Sequence, residues 1–223
     1  MAQKASRRKE IVAEKRKAEM ATIGGHEARQ VIEAAQAPIE SSVVTDDLFG
    51  LGIGWVALAR RLRSGQIGAS FFLVDVWCLG IKDAFFAVMS REMFEERMEA
   101  SGYDQQFVDI DPSVARKLLH DAAAYAMSLG LSPSDRFTDA EAIFGDVAMA
   151  SDTFAFGKDG KPFFVSGPND SPTRIRRVLD TLAKRAGPND FDYIVEVGDV
   201  ASAADVDELE FVSADDAERV QGD

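Results

Sequence analysis

Residues 71–78, FFLVDVWC, constrain the fold more than any other stretch. In extended chain, Ile67, Ala69, Phe71, Leu73, Asp75 and Trp77 fall on one side and Gly68, Ser70, Phe72, Val74, Val76 and Cys78 on the other. Both sides are apolar. A strand of this kind belongs in the middle of a sheet covered by layers on both faces. Its partners come before it. PIESSVV (38–44) and GIGWVALARRL (52–62) read as two further strands, and RSGQ supplies the turn into the third.

Helices surround this sheet. HEARQVIEAAQA (26–37) predicts a short helix with Ala28, Val31, Ile32 and Ala35 on one face. DAFFAVMSREMFEERMEA predicts a helix starting at an Asp83 cap and stopping near Gly102. DPSVARKLLHDAAAYAMSLG carries stronger signals: Asp111 as cap, Pro112 as first helical residue and Gly130 as terminator. TDAEAIFG adds a short helix capped by Thr138. TFAFGKDGKPFFVSG then reads as a hairpin turning at Asp159–Gly160. A helix over 172–186 and a last strand, FDYIVEV, complete the pattern. The expected fold class is α+β, with the order βββ-ααα-ββ-α-β. It has a mainly antiparallel sheet of about six strands, helices packed on it and flexible charged ends.

With 46% hydrophobic residues, 223 residues suffice for one core. The expected organisation is a basic, weakly ordered or helical segment 1–25, a single domain 26–197 and an acidic, disordered tail 198–223. The net charge of −13 is uneven. Residues 1–20 hold seven cations against Glu10, Glu14 and Glu19, whereas residues 196–223 hold ten acids against Arg219. A body of this sign repels nucleic acid and anionic membranes. No apolar run approaches the roughly 20 residues that span a bilayer. The charged start MAQKASRRKE lacks the apolar core of a signal peptide, and the lone Cys78 allows no intrachain disulfide. These features predict a bacterial-type cytoplasmic protein with no membrane partner and no cofactor.

Asp75 is the strongest candidate for chemistry. An ionised carboxylate in a dry interior costs several kcal/mol unless it is paired or hydrogen-bonded. The turn CLGIK follows, so Asp75 reads either as an anchor for that turn or as a strand-end catalytic acid with Cys78 and Lys82 beside it. An acid on a central strand after antiparallel strands resembles the ribonuclease H-like nucleases. In that family the first acid is on the first strand, whereas Asp75 is on the third expected one. Glu92 and Asp146 are partners to which the likeness could extend, and no motif places them. The sequence therefore identifies no family.

Two histidines and one cysteine exclude ordinary zinc sites built from those residues, and no metal is expected. GKDGKP lacks the second half of a phosphate-binding loop, and GLGIG precedes a strand where a dinucleotide fingerprint would precede a helix. The helix over 172–186 sets Arg174, Arg177, Thr181 and Lys184 opposite its apolar face. With Ser171 at its start, Arg174, Arg177 and Lys184 make a candidate anion-binding set.

With no enzyme motif and with charged ends around a core, the sequence predicts an accessory or regulatory protein that acts by binding a protein partner. A metal-dependent hydrolase or nuclease centred on Asp75 is the alternative. Nucleic-acid binding through the 172–186 helix and the N-terminal arm is a second, disfavoured by net charge.

Overall fold

The computed structural model describes residues 28–101 and 105–195. The expected basic segment 1–25 and acidic tail 198–223 lie outside them. A five-stranded antiparallel sheet dominates, with β1 (Ile39–Thr45), β2 (Ile53–Arg61), β3 (Ile67–Asp75), β4 (Gly80–Met89) and β5 (Phe107–Asp109) in the order β4-β3-β2-β1-β5. The two-sided apolar strand β3 lies inside it, paired with β2 from Ile53↔Asp75 to Arg61↔Ile67 and with β4 on its other edge.

The two faces are covered unequally. On one, Val56, Leu58, Phe72, Val74, Ala84 and Phe86 pack against α4 (Pro112–Ser128), α5 (Phe137–Glu141) and the helical segment α1 (28–34). On the other, Val43, Ala57, Ala59, Ala69, Phe71 and Met89 meet Phe94 and Met98 of α3 (Arg91–Ser101). The guanidinium of Arg97 lies over Phe71 and Phe85, 5.4 and 4.9 Å from the ring centres. Asp111 caps α4 by accepting from the Ser113 N–H at 2.8 Å, and Gly130 turns the chain away at φ +79°.

A second unit follows. β6 (Phe163–Val165) pairs parallel with β7 (Asp192–Ile194), and α6 (Pro172–Arg185) crosses between them. α6 buries Val178 and Leu182 against Cys78, Leu79, Leu129 and Phe164, which fastens this unit to the end of the main sheet.

The α+β class holds, with several local corrections. Gly80–Met89, expected to open a helix at Asp83, is strand β4; the helix begins only at Arg91, where Ser90 Oγ accepts from the Met93 N–H at 3.2 Å. Ala84, Phe86 and Val88 alternate with Phe85, Ala87 and Met89, so both faces are apolar and no period of two is visible. The 153–167 hairpin is not formed either. Asp159–Gly160 does turn, bridging Lys158 and Lys161, but β6 pairs with β7. Leu48–Leu51 forms a short helix, α2, and Gly52 leaves it at φ +77°. Thr138 lies inside α5, and no side chain caps that helix. On α1 the buried face is Val31 and Ala34, with Ala35 buried just after it, whereas Ile32 is exposed.

Candidate functional site

The loop joining β3 to β4 is where the main sheet, α4 and the β6 unit meet. Its backbone is bonded on all sides. The Val76 N–H donates to Gly52 O at 2.9 Å, the Gly157 N–H donates to Val76 O at 3.0 Å, and the Phe163 N–H donates to Trp77 O at 3.1 Å. Asp75 closes the loop from within. Its Oδ1 accepts from the Cys78 N–H at 2.8 Å and the Trp77 N–H at 3.1 Å. Gly80 ends the loop at φ +65°. A Cβ there would lie 2.6 Å from Ala122 O and 2.8 Å from Ala126 Cβ, so the close approach of α4 demands glycine.

The electrostatics follow from burial. Asp75 is buried, and loss of solvent holds its carboxyl above the ordinary range, although the Cys78 N–H, Lys82 and other loop N–H groups pull it down. Burial likewise pushes the Cys78 thiol up, and the Tyr125 hydroxyl is pushed up to about 12, by burial first and then by Cys78 and Asp75. A thiol held protonated is a poor nucleophile. Lys82 is the extra residue of the irregularity in β4, between Ile81, opposite Val74, and Asp83, opposite Leu73. Its ammonium lies 3.9 Å from where a Cβ on Gly167 would stand. The fold thus brings Asp75, Cys78 and Lys82 together, close to the start of α6. Lys82 is the charged side chain that acts on Asp75; neither Glu92 nor Asp146 contributes. Among the described residues no group of three or more His, Cys, Asp or Glu is placed to hold a metal ion.

The candidate anion-binding residues divide. Ser171 caps α6, accepting from the Arg174 N–H at 3.3 Å, and Arg174 Nε bonds Asp170 Oδ1 at 2.8 Å. Both are engaged within the fold. Arg177 and Lys184 are exposed, and their side chains meet no acid among the described residues. His120 Nε2 lies 3.0 Å from Glu141 Oε1, and Arg116 Nε donates to the same oxygen at 2.8 Å.

Sequence reasoning missed a row of rings on the outer side of the same loop. Phe49 stacks on Phe154 with centres 6.0 Å apart, and Tyr125 stacks on Phe156 at 5.3 Å. Trp77 lies flat against Gly52, donates from Nε1 to Phe49 O at 3.2 Å and meets the edge of Phe163 at 5.4 Å. The Lys158 ammonium rests 4.9 Å from the Trp77 ring centre and 4.5 Å from that of Phe163. Phe49 is 42% exposed and its neighbour Leu51 48%. The rings come from four separate segments, so no sequence window shows them. The density of phenylalanine around the Asp159–Gly160 turn was the available signal.

No family model matches this chain, and no curated protein or solved structure matches it.

Proposed function

We propose that this chain is an accessory or regulatory protein that acts by binding a protein partner at the ring shelf built on Phe49, Trp77 and Phe154. One observation carries the reading: Phe49 stands partly in water on a base of stacked rings, with Leu51 exposed two residues along the chain and the Lys158 ammonium at the rim. Covering apolar surface is worth roughly 25 cal/mol per Å². A few anchored aromatic side chains carry most of the energy of a protein interface. The rim charge selects a segment with an apolar side chain for the shelf and a neighbouring acid for Lys158. The basic segment 1–25 and the acidic segment 198–223 are further contact elements by charge, and a bacterial-type cytoplasm is the compartment this reading expects.

The test is quantitative affinity capture from a lysate of the source organism, using the intact chain and its Phe49→Asp/Leu51→Asp variant. Both positions are solvent-facing, so the variant keeps its melting temperature within a few degrees. The expected result is loss of at least about tenfold in partner recovery, since burying an unpaired carboxylate costs more than about 1.4 kcal/mol. Equal recovery of the same proteins by both chains would contradict the proposal.

A further inference from the structure

We infer that the acidic segment 196–223 docks along the cationic outer face of α6 in its own chain. That face is exposed and carries a net positive charge. Arg176, Arg177 and Lys184 project from it, and Asp180 is its one acid. None of these cations has an ion pair among the described residues, whereas Arg174, nearer the helix start, is held by Asp170 at 2.8 Å. An uncompensated basic face is out of keeping with a chain of net charge −13. The missing counter-charge lies just beyond β7, where residues 196–223 hold ten acids against Arg219.

The topology delivers that segment to the correct end of the helix. β6 and β7 are parallel and α6 is their crossover, so β6 finishes where α6 begins. Ile194, at the end of β7, is paired with Val165, at the end of β6, and the Ser166 N–H donates to Ile194 O at 2.9 Å. The chain therefore leaves β7 beside the N-terminal end of α6. The 14 residues of α6 span about 21 Å, which about seven extended residues cover. Glu196 and Asp199 come within that reach, and Asp205, Asp207, Glu208 and Glu210 follow at once. Single exposed ion pairs are worth under about 1 kcal/mol. The docking works because several act together at the high effective concentration of a short tether. It is therefore sensitive to salt, and it masks the face from other polyanions. The ring shelf plays no part in it; while docked, segment 198–223 is held by α6 and not by a partner, so the two contacts of that segment are alternatives and the shelf is tested separately.

Paramagnetic broadening in the full chain tests this. A spin label is attached at Ser202→Cys, with the fully buried Cys78 left unmodified. At about 50 mM salt, the amide signals of Arg176, Arg177 and Lys184 should lose more than about half their intensity relative to the reduced label. The loss should vanish at about 0.5 M salt, where the screening length falls to a few ångströms. It should also vanish in the Arg176→Glu/Arg177→Glu/Lys184→Glu variant. Signals unaffected at low salt, or broadening that survives the charge reversal, would overturn the inference. So would broadening of a ¹⁵N-labelled chain by a spin label on a second chain, which would place the contact between molecules. Shifts of the α6 signals on adding a single-stranded oligonucleotide, with no effect of the label, would assign the face to nucleic acid and also overturn it.

Discussion

Cys78 donates its main-chain N–H to the Asp75 carboxylate at 2.8 Å, and through this bond a buried acid holds together the loop between the interior strand β3 and the edge strand β4. The carboxylate serves as an acceptor, and an acceptor need not be charged. Burial lifts its pKa above the ordinary 3.8, so the folded state takes up the proton more readily than the unfolded one. The contribution of Asp75 to stability is therefore full below pH about 3.8 and is lost as pH rises through the folded value.

Asp75→Asn keeps an oxygen for the Cys78 and Trp77 N–H groups and removes the charge. Thermal unfolding should show it at least as stable as the parent at about pH 7, with its advantage shrinking towards about pH 4. Asp75→Ala strands the donors and should lose about 1–3 kcal/mol at either pH. An asparagine variant as unstable as the alanine one would refute the anchoring role.

Arg60 is buried in the main core and donates to three carbonyls: Nε to Ile143 O at 3.1 Å, and its two terminal nitrogens to Ala37 O and Phe144 O, both at 2.8 Å. It ties the turn that follows α1 and the end of the 3-10 turn Ala142–Phe144 to β2. Arg60→Met should cost about 3 kcal/mol or more in urea unfolding, because buried acceptors lose their donors. A change under about 1 kcal/mol would show that water satisfies those carbonyls instead.

Cys78 is fully buried, with its thiol pushed up by burial and by Asp75. Iodoacetamide at about pH 8 should leave the native chain unmodified over hours and alkylate it fully in guanidinium. Rapid native labelling would mean that the loop opens.

Much of the main sheet was legible because its signals are local. β1, β2 and β3 are bounded by Pro38, by the glycines at 50–54 and by the RSGQ turn, and α4 has both its cap and its stop. β4 was hidden because apolar residues on both faces erase the alternation that marks a strand. The parallel pair β6–β7 joins segments almost thirty residues apart, which no local pattern encodes. Asp75 announced itself as a charge in an apolar run, and its donors, two and three residues on, lay within reach of sequence reasoning. The shelf did not, since Phe49, Trp77 and Phe154 become neighbours only after the loop has folded.

The central claim is that the outer side of this loop binds a partner while Asp75 on its inner side holds the loop in shape. The most direct measurement is partner recovery by two variants of the intact chain, Asp75→Asn and Phe49→Asp/Leu51→Asp, each normalised to its folded fraction. The account predicts recovery within about twofold of the parent for the first and a loss of at least about tenfold for the second. Loss with Asp75→Asn and full recovery with the shelf variant would contradict it.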